Sequence, residues 1–307
     1  MSSSGGTPRR RVLVTGGAGL LGSATSRRLA TAGMEVVATY RSESPTFTGV
    51  EWLRVDLTRR GALANVEGVD AVVHSAAMLP QSHASSDAEA EANRRIDEVV
   101  FAAARRWRAD IVYISSVAVY AAAAPPPEGV SEDDPVQPIG AYAAEKVWAE
   151  ECGCELAAAE GLAFTSLRVS APYGPLQRSM TVLRRFVERA ARGETLEYWG
   201  SGARQQDFIH ADDVAGACEA SLSHDGGTYN VANGKAVTMR ELAQTVAHAA
   251  ELPAAHVRPA GMPDPGEDRL VAYSVARARS SLDWQPQIGL LQGVAAWLEH
   301  LSEAPGQ

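Results

Sequence analysis

The stretch Thr15-Gly16-Gly17-Ala18-Gly19-Leu20-Leu21-Gly22 follows directly on the apolar run Arg11-Val-Leu-Val-Thr15 and opens a helical pattern. No other segment narrows the fold as far. A glycine at 16 permits the tight turn out of the strand. One at 19 lets backbone approach a pyrophosphate, and one at 22 lets helix and strand pack closely. The helix that follows turns its free N–H groups and the positive end of its dipole toward such a ligand. Glycines alone would also suit a ligand-free turn; the strand before them and the helix after them point to dinucleotide binding. Gly16, Gly19, Leu20, Leu21 and Gly22 are the expected contacts.

The rest of the N-terminal half repeats the alternation. Strand-like runs are expected at 34–39, 51–55, 69–73, 110–114 and 163–168, with helices at 20–32 (closed by Gly33), 60–66, 88–108 and 142–160. Strands alternating with helices imply a parallel sheet covered on both faces, an α/β Rossmann-like doubly wound fold. After Ser170 the pattern changes. Pro172-Tyr-Gly-Pro175 is a turn, and helices are expected at 180–192, 238–250 and 290–300 among short broken segments. This divides the chain into a flexible lead (1–10), a dinucleotide-binding domain (11–170) and a smaller α/β substrate domain (mainly 171–307). Residues 207–232 are expected to return to the first domain through the runs 207–214 and 228–231. The Ala- and Pro-rich stretch 121–127 reads as an exposed loop over the site.

Composition removes several classes of function. A net charge of −9 opposes non-specific nucleic-acid binding, and the run Arg9-Arg10-Arg11 reads as part of a flexible tail. No apolar run is long enough to span a bilayer, and the first residues lack the apolar middle of a signal peptide, so a cytoplasmic protein is expected. Cys152, Cys154 and Cys218 make no disulfide framework, and their spacing suits no metal.

The second strand ends Ala38-Thr39-Tyr40-Arg41-Ser42. A carboxylate there would bond the adenosine ribose hydroxyls and repel a 2′-phosphate. Arg41 with Ser42 can instead pair with that phosphate. The expected cofactor is therefore NADP(H), with NAD(H) the alternative should Arg41 be a solvated loop charge. Asp56, after the third strand, is placed to bond an adenine amino group.

Tyr142-Ala-Ala-Glu-Lys146 sets a phenol and an ammonium one turn apart on a helix face. A free phenol ionises near pH 10, and a nearby ammonium favours the phenolate, so the pair suits moving a proton on and off a hydroxyl. Ser115 and Ser116 end a strand upstream, where a hydroxyl can orient a substrate oxygen.

Together these motifs make the chain resemble the extended short-chain dehydrogenase/reductase family, its NAD-dependent epimerase/dehydratase group, over nearly its whole length. The matching pieces are the glycine turn 15–22, Asp56-Leu57, His74-Ser-Ala-Ala77, Asn93, Ser115-Ser-Val-Ala-Val-Tyr120, Tyr142-Ala-Ala-Glu-Lys146, Leu167-Arg-Val-Ser-Ala-Pro-Tyr-Gly-Pro175, Asp207-Phe-Ile-His-Ala-Asp-Asp-Val214 and Tyr229-Asn-Val-Ala-Asn233. The resemblance implies that Ser116 is the catalytic serine, that Tyr142 is the proton donor or acceptor, and that Lys146 bonds the nicotinamide ribose. It further implies that Leu57, Ala76, Ala77, Asn93, Ser115 and Ser170 line the cofactor.

Departures from the family pattern narrow the chemistry. Members that dehydrate sugars carry an acidic pair, and sugar-acid decarboxylases a glutamate, where this chain has Val117 and Ala118. An elimination needs an acid and a base that this stretch lacks. Ketone reduction or alcohol oxidation and 4-epimerisation remain. Ala171 stands where many nucleotide-sugar enzymes have Asn, and Gln206 where they have the arginine that pairs with the substrate pyrophosphate. Arg204 or Arg269 could replace that arginine, or be an ordinary surface charge. The leading expectation is NADPH-dependent reduction of a keto group, C4 of a nucleotide-linked deoxysugar. Alternatives are an NAD-dependent 4-epimerase, a ketoreductase of a non-nucleotide substrate, and a non-catalytic cofactor sensor. The two long helices, with Val99, Val100, Phe101, Val147 and Trp148, lead us to expect a homodimer.

Overall fold

The computed structural model describes residues 10–43, 47–79, 87–120, 125–126 and 128–303. The expected flexible lead, in its residues 1–9, and most of the expected loop 121–127 lie outside the described residues.

The first half is built from β1 (Arg11–Thr15), α1 (Leu20–Thr31), β2 (Glu35–Tyr40), β3 (Val50–Arg54), β4 (Ala71–His74), α2 (Asp87–Trp107), β5 (Asp110–Ser116), α3 (Ala141–Glu160) and β6 (Phe164–Val169). The remainder comprises β7 (Ala171–Tyr173), α4 (Val182–Ala191), β8 (Leu196–Tyr198), β9 (Gln205–His210), α5 (Ala211–Ser221), β10 (Gly227–Val231), β11 (Ala236–Thr238), α6 (Met239–Ala249), β12 (Val257–Pro259), α7 (Ala276–Leu282) and α8 (Leu290–Glu303). The main sheet has seven strands in the order β3-β2-β1-β4-β5-β6-β10. The pairs β3–β2, β2–β1, β1–β4 and β4–β5 are parallel. Strand order reverses between β1 and β4, and the crevice outside the carboxyl ends of strands at such a point is where sheets of this kind bind ligands.

The chain divides into two compact units, one of Met1–Ile114, Gly140–Ser166 and Cys218–Gly227, the other of Ser115–Ile139, Leu167–Ala217 and Thr228–Gln307. The first unit buries Val12, Leu13 and Val14 fully. Such all-apolar runs are what strands covered on both faces require. Its core gathers Leu13, Val37, Val72, Val100, Phe101, Ile111, Tyr113 and Phe164. In the second unit a three-stranded sheet, β11-β9-β7, and the parallel pair β8–β12 accompany α4, α6 and α8. Their apolar faces meet around Trp297, Leu183, Phe186, Leu242 and Val246. Thr238 and Glu241 form a complete capping box at the start of α6.

Four expectations are corrected. Residues 60–66 form consecutive turns rather than a helix: their amides bond back three residues (Ala62 to Arg59, Ala64 to Gly61, Val66 to Leu63), and Gly61 sits at φ 74°. The run 207–214 does not return to the main sheet. Its strand β9 pairs antiparallel with β11 and parallel with β7, whereas 228–231 does join the main sheet within β10. Arg10 and Arg11 are not tail residues. Arg11 opens β1 and pairs with Glu35, Glu51 and Glu67, while Arg10 pairs with Asp110 and donates to the Leu222 carbonyl. Finally, Val100 and Phe101 belong to the core of their own unit and cannot face a second copy; Val99, Val147 and Trp148 are half-buried.

Candidate active site

The glycine turn closes as its spacing requires. Gly16 has φ 67°, and a Cβ there would lie 2.8 Å from the Ala76 Cα. A Cβ at Gly22 would lie 2.2 Å from the Gly16 carbonyl oxygen. Gly16 N donates to the Thr39 hydroxyl and Gly17 N to the Thr39 carbonyl, so the turn is pinned to β2. Gly19 caps α1 without a side chain, is exposed, and would meet only the Gly16 oxygen if it carried a Cβ. The first turn of α1 holds no acidic residue. An uncapped, unblocked helix N-terminus beside a glycine turn fits a pyrophosphate.

Around this cradle, Ala76 and Ala77 continue from β4 in a segment held by Asn93. That buried carboxamide accepts from Met78 N at 2.6 Å and donates to its carbonyl at 3.1 Å. Leu57 is buried in the core. Asp56 accepts from both the amide and the hydroxyl of Thr58, which with Arg59 holds its carboxyl below the usual range. Arg41 and Ser42 are exposed at the end of β2, and the Arg41 carbonyl accepts from Arg54 Nε at 3.2 Å. Arg54 is thus a second cation beside this strand end. It was not legible as such, because only the parallel pairing of Tyr40 with Arg54 brings it there.

On α3, Tyr142 is half-buried and Lys146 is 3% exposed. Lys146 Nζ lies 5.8 Å from the Tyr142 ring centroid and donates to the Tyr113 hydroxyl at 2.8 Å. Burial alone would lower the lysine pKa. The negative charge that Tyr142, Glu145, Asp97 and Glu150 can carry outweighs burial and raises it. The side chain is therefore an ammonium across the physiological range. Behind it stand Glu145, Asp97 and His74; Glu145 and His74 lie within the quoted motifs, but none of the three was given a role from the sequence. Asp97 was nonetheless readable as an anomaly: it occupies a core-facing position of α2, among the buried residues Asn93, Ile96, Val100 and Phe101.

The other expected site residues belong to the second unit. Ser116 ends β5 and caps the short turn Val117–Val119, accepting from Ala118 N at 3.1 Å. The Ser115 hydroxyl is buried without a protein partner among the described residues. Ser170 donates to Asp207, whose carboxylate also takes the amides of Asn233 and Gly234. Ala171 opens β7 and is half-buried. Arg204 pairs with Asp264 at 2.8 Å, and Arg269 is exposed.

The model of the NAD-dependent epimerase/dehydratase family matches residues 12–232, from β1 to the residue after β10. The chain belongs to that family. It is an NAD(P)-dependent enzyme, and its Rossmann-like fold is that of the family. Among its relatives, the 2-alkyl-3-oxoalkanoate reductase of Stenotrophomonas maltophilia is 34% identical over 76% of this chain and 73% of that protein. The dTDP-4-dehydro-6-deoxy-D-allose reductase of Streptomyces bikiniensis is 29% identical over 95% and 97%. The UDP-glucose 4-epimerase of Thermus thermophilus, solved with NAD, superposes with a TM-score of 0.83 at 29% identity, covering 96% of this chain and 100% of that one.

Proposed function

We propose that the enzyme reduces a keto group, C4 of a nucleotide-linked deoxysugar, with NADPH as the preferred cofactor. The observation that carries this reading is the pair on α3: a buried ammonium, Lys146, set against the ring of a half-buried phenol, Tyr142. The dinucleotide, when bound, supplies the hydride. Tyr142 gives its hydroxyl proton to the substrate oxygen in reduction and takes one back in oxidation. Lys146 offsets the charge left on the phenol oxygen. Ser116 orients the substrate oxygen, and Ala171, Arg204 and Arg269 are the expected substrate contacts. Gly16, Gly19, Leu20, Leu21, Gly22, Asp56, Ala76, Ala77 and Asn93 form the cofactor side.

Reduction is favoured over dehydration because Val117 and Ala118 offer no acid or base. It is favoured over epimerisation by the absence of a carboxylate between Ala38 and Ser42, with Arg41 and Arg54 supplying cations there for a 2′-phosphate. A non-nucleotide ketone is the second reading. It is supported by Ala171 and Gln206, and by the Arg204–Asp264 pair, which occupies part of the arginine's bonding capacity.

The test follows NADPH and NADH oxidation with nucleotide-linked 4-keto-deoxysugars and with 3-oxo acids. Turnover of the sugars supports the leading reading, and turnover of the acids alone supports the second. Tightly held NAD released on denaturation, with sugars interconverted and no net cofactor consumed, would identify an epimerase instead. We further propose a homodimer, built on the outward faces of α2 and α3. A light-scattering mass near 32.5 kDa at micromolar concentration would exclude it.

A further inference from the structure

Asp97 on α2 and Glu145 on α3 are 1% and 0% exposed. Asp97 Oδ2 and Glu145 Oε2 are buried and meet no donor among the described residues, and the two carboxyls lie close enough to hydrogen-bond each other once one of them is protonated. Two carboxylates do not approach this closely unless a proton lies between them. The Tyr113 hydroxyl, on β5, stands 3.5 Å from Glu145 Oε1 and accepts from Lys146 Nζ at 2.8 Å, while Glu145 Oε2 is 4.0 Å from the same Nζ.

On the other side of the pair, the Thr15 hydroxyl lies 2.8 Å from His74 Nδ1. Thr15 Oγ1 already accepts from Ser75 N and Ala76 N, so its own proton goes to Nδ1. This leaves the His74 proton on Nε2, which faces Asp97 Oδ1 at 3.0 Å, off the line of a full hydrogen bond. Burial holds the His74 pKa at about 3, so the ring is neutral. Among the directly linked groups Lys146 is then the single cation. One anion balances it, and two would not.

We propose that Asp97 and Glu145 share one proton, Glu145 carrying it and Asp97 ionised, and that through Tyr113 they act as positioning residues for Lys146. The pair fixes the lysine against Tyr142 and sets the charge around the phenol. The groups facing it are His74 on β4, Tyr113 on β5, Glu98 on α2, and Tyr142, Lys146 and Glu150 on α3. Burial is the largest cause that raises Glu145, to about 8; the Asp97 contact adds to it, and Lys146 works against it. Above that pH Glu145 adds a second negative charge beside Lys146, which favours the protonated phenol that reduction needs. The inference rests on the reading of Tyr142 and Lys146 as the acid–base group.

The test uses the full chain and Glu145→Gln, which keeps the shape and a donor toward Asp97. At pH 7 the infrared spectrum of the wild type should contain a protonated-carboxyl stretch that the variant lacks. The wild type should lose stability to denaturant as pH rises through about 8, because a raised carboxyl pKa stabilises the fold below its unfolded value and is lost above its folded one. The variant should show no such loss in that window. In a keto-reduction assay its alkaline limb of kcat/KM should fall to lower pH by about half a unit or more. Absence of the acid band, or a variant equally destabilised at pH 6 and pH 9, would mean an ionised Glu145 paired with Lys146 and would overturn the proposal. Should Glu145→Gln not fold, Asp97→Asn substitutes: the midpoint at which the band disappears should move to lower pH, and an unmoved midpoint would overturn the coupling. If no substrate turns over at all, the proposed reaction fails, while the spectrum and the stability profile still decide the pair.

Discussion

The Thr15 hydroxyl and His74 Nδ1 stand 2.8 Å apart, both side chains buried, where β1 and β4 end beside the glycine turn. The Thr15 oxygen also takes the amides of Ser75 and Ala76. One buried hydroxyl thus ties the dinucleotide turn to the strand end and, through His74, to the polar cluster under Lys146.

This makes His74 a measurable acid-stability element. Its folded pKa is held at about 3 by burial, against 6.5 for a free ring. The fold therefore keeps the full contribution above pH 6.5 and loses it as pH falls toward 3, since the unfolded chain takes up the proton first. The loss should reach several kcal/mol, at about 1.4 kcal/mol per pH unit of displacement. Denaturant titrations between pH 4 and pH 7 should show His74→Asn with a weaker pH dependence than the wild type. Equal slopes would mean that His74 is protonated in the fold.

Gly22→Ala tests the packing of the turn. The added Cβ would lie 2.2 Å from the Gly16 oxygen, a backbone atom that cannot step aside without moving the cradle. Stability should drop by roughly 1–3 kcal/mol, and cofactor affinity should drop with it. Denaturation midpoints and a fluorescence titration with reduced cofactor measure the two. A variant matching the wild type in both would mean that the helix can shift freely.

Tyr142→Phe removes the hydroxyl and leaves the ring against Lys146. The expected outcome is a fall in kcat of about 10²–10⁴-fold, with cofactor affinity little changed. Near-normal turnover in steady-state assays would remove Tyr142 from the chemistry.

Arg41→Ala addresses the cofactor. If the exposed guanidinium at the end of β2 meets a 2′-phosphate, the substitution should weaken NADPH binding about ten- to a hundredfold and leave NADH nearly untouched. Arg41→Ala combined with Arg54→Ala should lower NADPH affinity further. Equal affinities of the wild type for both cofactors would refute the preference.

Local chemistry was enough to read the βαβ opening, the order of strands and helices in the first half outside 60–66, and the spacing of Tyr142 and Lys146 on one helix. Each depends on residues close in sequence, where a 3.6-residue period, an all-apolar run or a glycine at a tight turn decides the geometry. The turns at 60–66 escaped because a short amphipathic run reads as helix until Gly61 takes a positive φ. Whether β9 joins the main sheet or its own was a question of pairing, which no strand settles alone; the antiparallel partner Ala236–Thr238 lies a whole helix and strand further on. Arg54 beside Arg41 depends on the register of β2 with β3 in the same way. The cluster of His74, Asp97, Tyr113 and Glu145 comes from four separate elements. Asp97 apart, each is an ordinary polar residue in its own segment, and only packing removes water from all four at once. Residue type and period along the chain determined the strand–turn–helix cradle and the spacing of Tyr142 and Lys146 along one helix. Tertiary burial alone decided which carboxyl keeps its proton, because that depends on the distance between side chains that are 48 positions apart in the chain, at 97 and 145.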